Sequence, residues 1–420
     1  MILHYCKQAW HTFRETPLVS VISLLGTALS IAMIMVVILL FQIKLIGYSP
    51  ESNRPRMLYV YGTLARHLDN YGNNNGKMSA HVVKECYYTL KTPRAVTAFT
   101  SQVRPISLPH KRLFEEYTVK YTDPGFWNVF DFTFVSGLPF TEADFRSEVP
   151  IAVITSGLAA ILFGSEEAVG KTILIDYLEY RIAGVVKSVS RAAEDAFAEV
   201  WVPYTTNASL MQSVCEGIAG PFSVVMLAPS TTAKAAVCRE LEEQMKRFNS
   251  AQKEYTVGIL SGHPLDRLEI AIGNNGVFRE VTLRDYLFDT GGLLLFLLLV
   301  PALNLVSVVH SAVQKRSGEL GLRRAFGASE ARLITQVLSE NMILTLVGCV
   351  VGLGLSVGLL YFCRHFLMDA EVDLEPAMLF KPAFFISALC FAVLLNFLSA
   401  CIPAWKISKK QIVTALSEER

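Results

Sequence analysis

Charge is scarce in this chain, and four long stretches have none. Only 18% of the 420 residues are charged, where a soluble domain carries about 25%. The net charge is +1, so nothing indicates nucleic acid as a partner. No Cys-x-x-Cys is present, and the eight cysteines form no patterned set, which excludes a disulfide framework. Cys86, Cys215 and Cys238 fall together in one polar block, where only a Cys215–Cys238 bridge stays open. The eight histidines include no pair at metal-ligand spacing on one helix. His310 therefore reads as a packing residue rather than a ligand. No Ser/His/Asp arrangement is evident, so no catalytic, cofactor or metal residue is named. A phosphate loop needs G-x-x-x-x-G-K-[ST]. Gly164 to Thr172 comes nearest, but its first glycine falls one residue too early and its Lys171-Thr172 leads into a strand. It reads as a turn between a helix and a strand. The chain is expected to be no enzyme and to bind no nucleotide by itself.

The uncharged stretches run from Thr16 to Ile43, Thr290 to Gln314, Asn341 to Cys363 and Pro382 to Trp405. Each has the ~20 apolar residues that a helix needs to cross the hydrocarbon core. The apolar fraction of 52% fits this. The expected fold class is an α-helical membrane protein with four transmembrane helices and a large mixed α/β domain inserted between the first two. Its segments are an N-terminal tract 1–17, spans at 18–43, 289–314, 341–363 and 382–405, an outer domain at 44–288, loops at 315–340 and 364–381, and a tail at 406–420. The first stretch is too long for a signal h-region and lacks a clean cleavage site, so it reads as a retained span. No ionisable residue lies deep in a span, which weighs against an ion-coupled transporter.

Orientation follows the basic residues beside the spans. Lys7 and Arg14 flank the first. Lys315, Arg316, Arg323, Arg324 and Arg332 fill the loop between the second and third, and Lys406, Lys409 and Lys410 follow the fourth. The 364–381 loop is instead acidic, with Asp369, Glu371, Asp373 and Glu375. Both termini and the 315–340 loop should be cytoplasmic, and the large domain should be outside.

Within the outer domain, alternating or branched runs predict strands at 57–61, 117–121, 149–155, 172–175, 180–186, 200–202 and 223–227. A helix is expected over 156–163. A second, amphipathic one is expected over 231–248, with Ala235, Val237, Leu241, Met245 and Phe248 on one face. The Asn- and Gly-rich run 70–76 reads as a loop.

The 315–340 loop carries Lys315, Arg316, Glu319, Gly321, Arg323, Arg324, Gly327, Ala328 and Ser329. It then becomes amphipathic through Leu333, Ile334, Val337 and Leu338. Spacing alone leaves two readings open: a basic segment on anionic headgroups, or a docking element for a cytosolic partner. In the third span, Gly348, Gly352, Gly354 and Gly358 form small-xxx-small patterns suited to close helix packing. Pro301 and Asn304 in the second span can kink the helix and bond across helices.

The run from Lys315 to Ser329 resembles the loop of the MacB/FtsX/LolC-type permease superfamily, approximately R-R-x-E-I-G-[IL]-R-[RK]-A-[LM]-G-A-S. Leu320 and Phe326 are conservative departures. Asp123 to Phe130, Gly137 to Thr141, Val149 to Ile154, Leu162 to Gly164 and Val169 to Ile173 resemble the superfamily's MacB-like periplasmic core in order and spacing. Ile402 to Leu416 resembles its C-terminal ending, with Gln411 in place of a proline.

The resemblance implies the permease subunit of an ATP-binding-cassette transporter in the bacterial inner membrane, serving efflux or export. It implies a cytoplasmic ATPase partner that binds the ATP and Mg²⁺, expected as a separate polypeptide. A second permease copy or paralogue would complete a dimer in the lipid, and a periplasmic adaptor with an outer-membrane channel are further candidate partners. The loop residues named above would couple to the ATPase. The alternatives are an FtsX-like regulator of a cell-wall hydrolase and a LolC-like lipoprotein-releasing permease.

Overall fold

The computed structural model describes residues 47–272, apart from 70–72, 110–114, 192 and 216, with single positions and short runs elsewhere, the longest being 350–356. The chain divides into two compact units. One is Ile43–Tyr286 with Met368–Asp373; the other is Met1–Gln42, Leu287–Leu367 and Leu374–Arg420. The four expected spans lie outside the described residues except at scattered positions. Among the described residues no helix is long and apolar enough to cross a membrane.

The first unit is mixed α/β. Its elements are β1 (Met57–Val60), β2 (Thr63–His67), β3 (Asn73–Met78), α1 (Ala80–Val82, running on as a π turn at Val83–Tyr87), β4 (Ala95–Ser107), β5 (Glu115–Thr122), α2 (Phe126–Val129), β6 (Phe134–Gly137) and α3 (Glu142–Arg146). After these come β7 (Ile151–Thr155), α4 (Ser156–Phe163), β8 (Thr172–Ile175), β9 (Leu178–Val186), β10 (Val200–Pro203), β11 (Ala219–Gly220), β12 (Ser223–Leu227), α5 (Lys234–Ser250), β13 (Tyr255–Ile259) and α6 (Arg267–Ala271).

Helix ends follow local chemistry. Ser79 and Thr155 accept from the amides three residues on, as N-caps do. Thr141/Asp144 and Asp266/Glu269 form reciprocal capping boxes. Gly164 ends α4 at φ 72°, where a side chain would be strained. The Gly164–Thr172 run is thus a helix end followed by a turn into β8.

Nine strands form the large sheet, in the order β1-β12-β4-β5-β10-β7-β9-β6. β8 pairs with both β9 and the far end of β4. Hydrogen bonding therefore closes a ring, β4-β5-β10-β7-β9-β8. The β5–β10 and β7–β9 pairs are parallel, and α4 begins the connection from β7 that leads through β8 to β9. A second sheet runs β11-β3-β2-β13.

Two apolar cores result. One gathers Ile154, Leu158, Ile182, Val202, Phe222, Val224 and the buried face of α5. That face is Val237, Leu241 and Met245, spaced by one helical turn. The other gathers Met57, Tyr59, Phe126, Phe130, Val153, Trp201 and Leu265. It holds an aromatic cluster in which Trp127 meets Phe132, Phe134, Phe140 and Trp201 edge-on, with centroids 5.2–6.2 Å apart.

Two expectations need correction, and one open question is answered. The run 70–76 is not all loop, because Asn73–Gly76 begin β3 and pair with Thr63–Arg66 of β2. Ladder bonds to β2 override the turn preference of Asn and Gly. α5 begins at Lys234 rather than at Thr231, and Ala235 faces solvent. Cys215 and Cys238 are free thiols.

Candidate functional site

An early and a late segment of this unit run side by side as strands. Tyr59 and Leu265 exchange backbone bonds of 2.9 and 2.8 Å. Leu260 N bonds to Gly62 O, and the pairing continues through β2 and β13 from Thr63↔Ile259 to His67↔Tyr255. The incoming and outgoing segments thus form one antiparallel ladder that passes from the edge of the large sheet into the small one.

Beside this ladder sits a buried cluster of charge. Glu51 and Arg54 are fully buried and joined Nε to Oε2 at 2.6 Å. Arg54 also donates to the Tyr48 hydroxyl at 3.1 Å and lies 4.3 Å from that ring's centre. Burial works against the Arg54 charge, but Glu51 and Tyr48 outweigh it and hold its pKa above the ordinary value. The other oxygen of Glu51 accepts from the amide of Ala196 at 3.0 Å. Ala196 in turn accepts at its carbonyl from Trp201 Nε1 at 3.2 Å.

One residue earlier, the Asp195 carbonyl accepts from Lys120 Nζ, and the Asp195 carboxylate accepts from the Tyr61 hydroxyl at 2.8 Å. Lys120 is fully buried and 4.9 Å from the Phe99 ring centre. Burial lowers its pKa, against the pull of Asp195 and Glu51. Burial raises the Asp195 pKa, helped by Glu51 and opposed by Tyr61, Lys120 and Arg267. Residues 194–196 therefore form a hub to which the incoming segment, β5 and β10 all bond. A second clasp holds the same segment. Ser52 bonds to the Asp131 carboxylate through its amide at 3.2 Å and its hydroxyl at 2.6 Å, and Asp131 N bonds back to Pro50 O at 2.9 Å.

Asp123, in the Asp-Pro-Gly-Phe-Trp run, is a separate buried carboxyl. It accepts from Tyr88, from Ala98 N at 2.7 Å and from Phe126 N at 3.1 Å, so it pins β4 to the start of α2. Burial pushes its pKa up to about 6, against these hydrogen bonds.

An open cleft of about 750 Å³ lies against the small sheet, lined by Asn74, Gln102, Ser209, Gln212 and Ser213. No charged side chain lines it. Among the described residues no group of His, Cys, Asp or Glu could hold a metal ion.

Of the expected coupling residues, Lys315, Arg316, Glu319, Gly321, Arg323, Arg324, Ala328 and Ser329 lie outside the described residues. Gly327 is described, at φ 91° with open space beside it. Gly348 and Gly352 are helical and buried, and Ser356 one turn further is buried too; Gly354 and Gly358 are helical and exposed. Glu51, Arg54, Lys120, Asp195 and Arg267 were not singled out from sequence. The one signal was Lys120, a cation between Val119 and Tyr121 in the inner half of β5.

Residues 20–244 match the MacB-like periplasmic core domain, and residues 291–412 match the FtsX-like permease C-terminal region. The chain is similar to the uncharacterized ABC transporter permease YknZ of Bacillus subtilis, 25% identical over 57% of this chain and 56% of that one. It is similar to the macrolide export ATP-binding/permease protein MacB of Burkholderia lata, 23% identical over 99% of this chain and 57% of the relative. It spans about half the length of the curated relatives it matches. Among solved structures, the periplasmic region of MacB from Actinobacillus actinomycetemcomitans is similar at a TM-score of 0.35 and 14% identity, over 52% of this chain and 94% of that one.

Proposed function

Because this chain belongs to the family of ABC transporter permeases with a MacB-like periplasmic core and an FtsX-like C-terminal region, we propose that it is a membrane subunit that relays ATP-driven movement to its outer domain. The movement originates in an ATP-binding-cassette ATPase engaged from the cytoplasm. The work serves export, as the printed name of the Burkholderia relative suggests. The unit works as a dimer in the inner membrane, with both termini cytoplasmic and the mixed α/β domain outside.

One observation carries this reading: the two family regions follow each other in one chain, with the Lys315–Ser329 motif inside the second. Arg323 and Arg324 can each present a planar fork of donors to carboxylates or carbonyls of the ATPase. Glu319 can orient them or meet a basic residue. Such contacts couple only if they differ between nucleotide states, since equal affinity for both shifts nothing.

The test is Glu319→Lys, and separately Arg323→Glu with Arg324→Glu, in the full chain with its ATPase. Membrane insertion should be unchanged, and ATP-driven export should fall at least tenfold. Wild-type export in Glu319→Lys rejects the coupling role. Cysteine labelling at Asn74 and at Ser329 checks the topology. Labelling of both from the same side rejects it.

A further inference from the structure

We infer that the buried cluster of Glu51, Arg54, Lys120 and Asp195 is the fixed joint of the relay: it anchors the incoming segment to the large sheet, so that movement arriving there is delivered along the incoming–outgoing ladder to the small sheet. This rests on the relay proposed above and assigns it positioning residues.

The reasoning begins with what holds each part. The incoming segment 48–54 carries no regular strand of its own, yet it is tied twice to the large-sheet side. Glu51 and Arg54 bind it to Ala196 of the hub, and Ser52 binds it to Asp131. The hub is itself tied to β5 through Lys120 and to β10 through Trp201. The Glu51–Arg54 pair and the Lys120 bond to the Asp195 carbonyl are buried and charge-assisted, the stronger class of hydrogen bond, while the Ser52–Asp131 clasp is exposed and the Trp201 bond neutral. β1 then pairs with β12 over four residues inside the large sheet.

Beyond Tyr61 the bonding changes. β2 and β13 are held to one another by backbone bonds, and β3 on their other side is polar and mostly exposed. The outgoing segment meets the incoming one first at Tyr59–Leu265 and stays with it to His67–Tyr255. Any displacement of one segment along the other must therefore shear this ladder. The end of the ladder at the hub cannot give without opening a buried ion pair. The end in the small sheet can give by exchanging backbone bonds with water.

The experiment is hydrogen exchange on the full chain with its ATPase in lipid vesicles, comparing ATP–Mg²⁺ with ADP. In the wild type, exchange at Thr63–His67 and Tyr255–Ile259 should change at least tenfold with nucleotide, while the amide of Ala196, which donates to Glu51 and to Ala193 O, stays protected in both states. Glu51→Gln together with Arg54→Met leaves no unpaired charge and keeps an acceptor for Ala196 N. This pair should unfold within a few degrees of wild type. It should lose most of the nucleotide response of the ladder. Lys120→Met, which leaves the Glu51–Arg54 pair intact, should do the same and serves if the first variant does not fold.

A wild type with no nucleotide response anywhere overturns both the relay and the joint. A wild-type response that survives in the variants overturns the joint alone, as does a response confined to Ala196.

Discussion

The two sheets of the mixed α/β unit are built from the same chain by opposite means. The large sheet packs an aromatic core against one face and buries charge where its partners are fixed, as at Glu51–Arg54 and Lys120–Asp195. The small sheet has a strand of sequence Asn-Asn-Asn-Gly-Lys-Met that faces mostly water, and its β13 edge is closed by a single amide. Asn249 accepts from Val257 N at 2.7 Å and donates to Val257 O at 2.9 Å. The difference teaches where this domain stores its resistance to deformation. Removing one partner inside the large sheet strands a charge, whereas removing one from the small sheet leaves groups that water can reach.

The sharpest way to break that comparison is Arg54→Met. It leaves Glu51 buried and unpaired, so it should destabilise the domain by about 3–5 kcal/mol, read from denaturant unfolding. A loss below about 1 kcal/mol would mean that the cluster hydrates and is no rigid anchor.

Next in size is a pH effect from the large sheet alone. Asp123 has its pKa raised to about 6 from 3.8. A raised carboxyl contributes stability below its unfolded pKa and loses it as pH rises through the folded value. Stability should therefore fall by on the order of 3 kcal/mol between about pH 4 and pH 6 on its account. Asp195, raised in the same direction, adds to the slope. Asp123→Asn should flatten the profile markedly; an unchanged slope would assign it elsewhere.

Smaller still, Asn249→Ala removes both bonds at the β13 edge and should cost about 1–2 kcal/mol. Amide exchange at Val257 should rise while that of Val225 in β12 stays slow. The least effect belongs to the exposed Asn75 of β3. Asn75→Ala should stay within about 0.5 kcal/mol, and a larger loss would show that the small sheet is less forgiving than its exposure implies.

The same contrast governs how far the sequence could be read. Ser156–Phe163 and Ser223–Leu227 were legible to the residue, because a capped helix and a branched, fully buried strand each carry their own pattern. β8, β9 and β10 were legible within two residues for the same reason. β3 was not, because nothing local marks an Asn-rich strand. Its ladder with β2 is a tertiary fact. β4, the longest strand, contains Pro105 and alternates poorly, with burial on both faces at Thr97–Thr100. The buried cluster was hidden for a different reason. Glu51 and Ala196 are 145 residues apart, and an isolated Glu, Arg, Lys or Asp reads as a surface residue until its partner is known. The segment proposed for coupling shows the reverse case. Its residues stand contiguously from Lys315 to Ser329, so it can be proposed from a local motif without any fold.

The pairing of Tyr59 with Leu265 also sets a timetable for biogenesis. These residues lie about 200 positions apart, and such distant contacts form late and slowly. At roughly 5–20 residues per second, the ribosome needs on the order of 10–40 s after making β1 before its partner exists. Until Ser223–Leu227 is made, Met57–Val60, an apolar strand destined for complete burial, has neither β12 nor the outgoing segment to pair with, and afterwards it still lacks the latter. The nascent domain therefore presents an adhesive edge for most of its synthesis, and its safe production depends on whatever holds that edge until the chain has passed residue 265.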